Sequence, residues 1–338
     1  MKQVFPRTSM KIVGLIIGIM LLMTSFVMSL SLGQTDIPFS TAVEAFISYD
    51  DSSTEHIIVQ TTRTPRAIIA GIIGASLAIA GALMQALTRN PLASPGLFGI
   101  NAGAVFFVVV AAVYLSVSSL VHYMWIAFFG AALAGIAVYF LGSVGKDGLA
   151  PIKVVLAGAA ISALFLSATQ GILVLNENGL QEVLFWLTGS VAGRTIDMLL
   201  PILPYMATAG VVALLIGPAI NVLLFGEDVA KGLGQRTILL KTIMGLVIIV
   251  LAGGSVAVAG SVGFVGLVIP HIARYFVGID YRWVIPYCAV LGATLVLLAD
   301  VAARFLIMPQ EVPIGIMTAF VGAPFFIHIA RKGFSTNG

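Results

Sequence analysis

Leu223-Leu224-Phe225-Gly226-Glu227-Asp228-Val229-Ala230-Lys231-Gly232-Leu233-Gly234 is a short polar island. Apolar segments long enough to cross a membrane lie on both sides of it. Gly232 and Gly234 end it, where a helix needs a left-handed or tight turn. An amphipathic helix of three turns or fewer, set between two spans, suits a docking surface for a soluble partner. On charge and length alone, an ordinary solvated loop is the simpler reading.

The flanks decide the class. Of 338 residues, 59% are hydrophobic and 9% charged, with mean hydropathy +1.10. A soluble domain carries roughly 25% charged residues, so this chain cannot cover a water-facing surface. It reads as an all-α integral membrane protein, because its apolar runs are long rather than alternating. The 36 glycines fit close helix–helix approach in lipid. The single cysteine, Cys288, excludes an intrachain disulfide and a cysteine metal cluster. No basic stripe interleaved with aromatics points to nucleic acid.

Ten spans are expected, at about 12–32, 67–87, 97–115, 121–141, 154–175, 198–217, 239–259, 262–278, 284–303 and 314–331, in one domain over 1–338. The first apolar run exceeds the core of a secretory signal and reads as an uncleaved span, with cleavage near Ser31 as the alternative. Residues 33–62 form an outside segment with a surface helix. Asn90-Pro91 and Pro95 make 84–96 a rigid turn. Within Asn176–Arg194, the apolar Val183–Gly193 is too short to cross and should lie at the surface or re-enter. Pro201 and Pro204 should kink the sixth span. The eighth span should be short and irregular.

Charge placement tests the count. With the N-terminus inside and ten spans, 13 of the 17 basic residues fall inside. Deleting the eighth span leaves 10 inside against 7 outside. The positive-inside rule therefore favours ten spans with both termini cytoplasmic. The island then faces the cytoplasm, and Arg63, Arg66 and Arg304 face outward.

Few residues carry chemistry. No GxxxxGK[ST] nucleotide loop and no HExxH occur, and the four histidines are scattered. Asp300 and Arg304 face each other across one helical turn, as a functional pair or one that lets the helix insert. Asp300 is the only candidate for ion coupling and lies near the outer end of its span. Energy should therefore come from another polypeptide docked on the island. A stand-alone secondary transporter or channel is the rival of a different class, and a membrane-embedded hydrolase a more distant one.

The chain resembles the permease subunits of ABC importers for iron–siderophore complexes and vitamin B12. The likeness rests on Arg63-Thr64-Pro65-Arg66, on Gly81–Leu87 running into Asn90-Pro91-Leu92-Ala93, and on Gly226–Gly234. It continues in Gly263–Arg274, Ala299–Arg304 and Glu311–Gly315. The resemblance implies a ten-helix subunit of the type II ABC importer permease fold in a bacterial plasma membrane. It implies a second permease subunit (a copy or a relative), two ATPase subunits and an outside substrate-binding protein, with no cofactor, no metal and no ATP site of its own. The cargo it implies is a ferric siderophore or related iron chelate, with vitamin B12 or haem as the alternative. It casts about 221–236 as coupling helices, contacting the ATPase through Glu227, Asp228, Val229, Ala230, Lys231, Gly232, Leu233 and Gly234. Arg63, Arg66 and Arg304 match arginines that pair with carboxylates of the binding protein, and Asn90 and Leu92 match cytoplasmic gate positions. Gly145–Gly148 does not match the second gate pattern, and no role is carried over there.

Overall fold

The computed structural model describes residues 3–115, 117, 119–144, 150–176 and 186–335, with side chains as far as residue 327. Among these residues there are ten helices of more than ten residues. They are α1 (Thr8–Ser31), α2 (Thr64–Thr88), α3 (Ile100–Tyr114), α4 (Leu120–Ser143), α5 (Pro151–Leu175), α6 (Leu203–Leu224), α7 (Thr237–Ala259), α8 (Val265–Val277), α9 (Tyr281–Ala303) and α10 (Ile314–Ser335). Seven are long and apolar enough to cross a membrane by themselves, α3 and α8 are shorter apolar helices, and α10 is apolar over its described part, Ile314–Ile327. Ten crossings would put both chain ends on one face. No strand occurs among the described residues, only an isolated bridge between Ile307 and Gln310.

The shorter helices need help to span. The 13 residues of α8 rise about 20 Å, against about 30 Å of hydrocarbon. The deficit is filled by the unwound segment 260–264, which is tolerated at depth only when buried in protein and bonded. Its bonds are present: Ser261 N donates to Trp186 O at 2.9 Å, and Ser190 N donates to Ala259 O at 2.7 Å. Gly315 N donates to Gly189 O at 3.1 Å. The described part of the 176–194 connection therefore plugs the break between α7 and α8. Glu177, Glu182 and the rest of 177–185 lie outside the described residues.

The centre of the bundle is α2, α7 and α9, which are mostly buried; α1, α5 and α6 are mostly exposed. Small residues bring the central backbones together. A Cβ added at Gly74 would collide with the Gly292 carbonyl of α9, and one at Gly81 with the Gly266 carbonyl of α8. Such notches let backbones approach closely where apolar burial alone drives no association.

Three local readings need correction. The sixth helix begins at Leu203 and ends at Leu224, so Pro201 precedes it and Pro204 sits in its first turn, where a missing N–H is harmless. Its interior proline is Pro218, so the expected kink at Pro201 and Pro204 has no helix to bend. The outside segment holds two short helices, Phe39–Ile47 and Thr54–Ile58, and the second runs through a π turn, Val59–Arg63, into α2. The island holds one six-residue helix, Glu227–Gly232, rather than helices over 221–236.

Gly81→Val should cost about 1–3 kcal/mol or more, because the packed α8 backbone cannot yield. Gly210→Ala, with nothing within 4 Å of the added carbon, should be neutral or slightly stabilising. Thermal unfolding of the detergent-purified variants compares the two, and equal melting temperatures would contradict this packing.

Candidate functional site

The island is a rigid projection. Gly226 starts it at φ 124 and Gly234 closes it at φ 80, both conformations that suit glycine. Ala230 N donates to Gly226 O at 3.0 Å, and Gln235 N to Ala230 O at 2.9 Å. Ala230 is fully buried beneath the helix. Glu227 braces the helix against α7: its carboxylate meets Lys241 Nζ at 2.5 Å and Lys231 Nζ at 3.3 Å. The Lys241 hydrogen bond, then the charges and the Lys231 bond, hold the Glu227 carboxyl below the usual carboxylate range. Gln235 Nε2 donates to Ala219 O at 2.8 Å, tying the far end of the island to α6.

Asp228, Val229, Lys231, Gly232, Leu233 and Gly234 face solvent. Phe225, Val229 and Leu233, each four residues apart, are 77%, 50% and 70% exposed. They give the island and its root an exposed apolar surface, termed the ridge, beside the exposed charges of Asp228 and Lys231. Phe225 belongs to this ridge but was not singled out in the sequence. Its spacing to Val229 and Leu233 was the available signal, hidden by its position next to an apolar span. A braced helix with such a ridge can seat in a groove of a soluble partner.

The proposed gate residues lie on the connection after α2. Asn90 Oδ1 accepts from Leu92 N at 2.9 Å, and Ala93 N donates to Asn90 O at 3.1 Å. Asn90 is half-buried and Leu92 exposed.

The three outward arginines do not project. All are buried, at 5%, 8% and 3% exposure for Arg63, Arg66 and Arg304. Arg66 Nε donates to both oxygens of Asp300 at 2.9 and 3.0 Å, and its Nη1 donates to Glu311 Oε2 at 2.7 Å. Arg304 Nη2 donates to Asp300 Oδ2 at 2.5 Å. Arg304 Nη1 donates to Ser29 O and Leu32 O, both at 2.8 Å. Arg63 donates to Leu30 O at 2.7 Å, to Ser31 O at 2.6 Å and to Thr35 O. A helix leaves its last carbonyls unpaired and partially negative. Arg63 and Arg304 together cap those of α1, which has no basic residue in its own last turn. In this conformation the guanidiniums expected to meet a partner's carboxylates are bonded within the chain.

A family model of the FecCD transport family matches residues 21–332. The chain belongs to the FecCD transport family. Among curated relatives, it is 52% identical over 331 residues to the probable siderophore transport system permease protein YfiZ of Bacillus subtilis (strain 168), covering 98% of this chain and 99% of that one. It is 40% identical over 314 residues to the ferric enterobactin transport system permease protein FepD of Escherichia coli (strain K12), covering 93% of each. Among solved structures, an inward-facing metal-chelate type ABC transporter chain superimposes with TM-score 0.82 at 28% identity, covering 94% of this chain and 98% of that one.

This FecCD permease is thus a multi-pass membrane subunit of an ABC transport system. Two consequences of its site geometry are measurable. Asp300 is fully buried between two guanidiniums. Removing one partner from such a cluster leaves uncompensated buried charge, typically about 3–5 kcal/mol. Asp300→Ala should therefore fail to accumulate in membranes or should melt far below the wild-type protein, and an unchanged melting temperature would refute the clamp.

The Glu227 carboxyl is depressed in the folded protein. Its ion pairs therefore stabilise the island fully above the ordinary glutamate range of about 4.3, and are lost as pH falls through the lower folded value. Hydrogen exchange at the Ala230 and Gln235 amides, corrected for intrinsic rates, should rise in acid. Glu227→Gln should already exchange fast at neutral pH and respond little to acid. Wild-type protection in that variant at neutral pH would show that the brace does nothing.

Proposed function

We propose that this FecCD permease carries a ferric siderophore or related iron chelate inward, powered by ATPase subunits that seat on the Phe225–Val229–Leu233 ridge. The ridge is the observation that carries the reading. Val229 lies on the braced six-residue helix, Phe225 and Leu233 lie just outside its two ends, and all three are at least half exposed. Their exposure would be costly unless a partner covers them. The chelate class rests on the relatives, whose names specify siderophore, ferric citrate and ferric enterobactin systems.

A second permease subunit, a copy or a relative, fits α5. This helix is mostly exposed, and Ala160, Ala163, Ser167 and Gln170 lie along its uncovered surface. Exposed Ser167 and Gln170 would be unfavourable against lipid. A partner helix and an aqueous pathway between the subunits remove that cost, and small side chains allow close approach. Asn90 and Leu92, on a stiff turn at the island's face, are placed to narrow that pathway from the cytoplasmic side.

On the outer face a substrate-binding protein delivers the cargo. Arg63, Arg66 and Arg304 serve this docking chiefly by holding the ends of α1, α2 and α9 in register. Arg66 is the one best placed for a partner's carboxylate, since Glu311 beside it is 24% exposed. The pathway itself holds no tight substrate site, because tight binding would oppose release. ATP binding and hydrolysis belong to the partner subunits.

Ion coupling fits less well. A proton- or sodium-coupled carrier needs a carboxylate that can change its partner during transport. Asp300 is instead held by Arg66 and Arg304.

Uptake of radioiron, supplied as ferric citrate and as a ferric hydroxamate in turn, should fail in cells carrying Glu227→Ala, Gly232→Pro or Leu233→Asp. The same membranes should lose co-purifying ATPase. Normal uptake with no ATPase attached would refute this reading and return attention to a stand-alone carrier.

A further inference from the structure

Arg89 occupies a conformation that an arginine rarely takes. It ends α2 at φ 50, ψ 30, in the left-handed region where a helix terminus usually has glycine. A non-glycine residue kept in this region points to a side chain that is needed there. The Arg89 side chain reaches across to α6, where its Nη2 donates to Leu223 O at 3.3 Å. Leu223 is in the last turn of α6, two residues before the ridge begins at Phe225. The same carbonyl accepts from Gly226 N at 3.1 Å, the residue that starts the island helix. One oxygen with two lone pairs thus joins the end of α2 to the root of the docking helix.

Beyond Arg89 the chain is stiff. Asn90, Pro91 and Leu92 form a turn closed by the Asn90 side chain, and Pro95–Phe98 follows as a 3-10 turn. The end of that turn is seated on α5: a Cβ at Gly158 would collide with the Leu97 carbonyl. A continuous set of contacts therefore runs from the island, through Leu223 O and Arg89, along residues 90–98, to the helix that faces the second permease subunit. The island is joined separately to α7 through Glu227 and Lys241, and α6 to α9 through Asn221 and Asp280. Neither of those links touches the 90–98 connection.

We propose that Arg89 is a positioning residue, the strap through which motion of the docked island is passed to the 90–98 connection and α5. The proposal rests on the importer reading above and adds to it the route by which force reaches the gate. The simpler role for Arg89 is a solvated cation that favours the helix C-terminus and the cytoplasmic side. That role would be served by any basic residue in the last turn of α2 and does not call for a left-handed backbone.

Arg89→Gly separates these roles, because glycine keeps the left-handed turn while losing the guanidinium. The reporter is Leu92→Cys in the complete transporter, in inside-out vesicles. The native Cys288 is fully buried, so on this chain, resolved from the other subunits by gel, a membrane-impermeant maleimide reports on the introduced thiol alone. With Arg89 present, trapping the ATPases with vanadate should change the labelling rate of that thiol. In the Arg89→Gly background the ATPase subunits should still co-purify and hydrolyse ATP, while that change shrinks about 5-fold or more, the lower end of typical site-to-site coupling. Radioiron taken up per ATP hydrolysed should fall with it.

An undiminished labelling change in Arg89→Gly overturns the strap. Loss of the ATPase subunits from Arg89→Gly also overturns it, by making Arg89 an ATPase contact. If the complex with Arg89 intact retains no ATPase, the importer reading fails and the strap falls with it.

Discussion

A backbone carbonyl or amide left bare in hydrocarbon costs several kcal/mol, and that constraint arranges both ends and the middle of this molecule. At the outer end, the unpaired carbonyls of α1 would meet it first. Arg63 and Arg304 supply the missing donors from two other segments, and Asp300 supplies the charge that makes the buried guanidiniums of Arg66 and Arg304 tolerable. The clamp is therefore one unit: carbonyls of α1, cations of α2 and α9, and a carboxylate between them. In the middle, the break between α7 and α8 is bonded by backbone groups of the 186–190 segment. At the inner end, the polar termini of α2, α6, α7 and α9 are tied through Arg89, Gln235, Glu227 and Asn221.

How much of this is legible in the sequence depends on how far apart the interacting residues lie. Apolar runs are local, so the helices can be counted in the sequence, and the charge tally favours ten crossings over nine. The island was legible because a glycine-bounded charged segment between two spans is local too. Its geometry was less so: six residues form the helix, and Ala230 is buried beneath it. The arginine clamp was illegible for the opposite reason. Arg66 and Asp300 are 234 positions apart, and Arg63 caps carbonyls about thirty residues upstream. Sequence spacing showed only the Asp300–Arg304 pair within one helical turn. The resemblance assigns these arginines to a partner, and nothing local in the sequence reveals that the chain uses them itself. Pro218 was missed similarly, since a proline inside a long apolar helix leaves the hydropathy pattern unbroken.

Burial divides the bundle by mechanical role. The glycine notches between α2, α8 and α9 bring backbones into contact, and close-packed contacts of this kind transmit displacement rather than absorb it. By contrast α5 shows an uncovered surface with small and polar residues. A rigid centre flanked by uncovered helices is the arrangement expected when subunits move against each other as bodies.

The placement of charge then bears on where the energy enters. The most deeply buried carboxylate, Asp300, is held by two guanidiniums and fixes structure, so the acid best placed to carry an ion is occupied in every contact it makes. Glu227 lies far from it, in the island helix, and is itself paired with Lys231 and Lys241. A carrier driven by ions would be expected to put its adaptable carboxylate within the membrane and its fixed pairs at the rim. Here the buried acid is fixed by Arg66 and Arg304, and the acid of the solvent-facing island by Lys231 and Lys241. This distribution of charge suits a subunit of an ABC transport system, in which the chain itself need not carry a coupling ion.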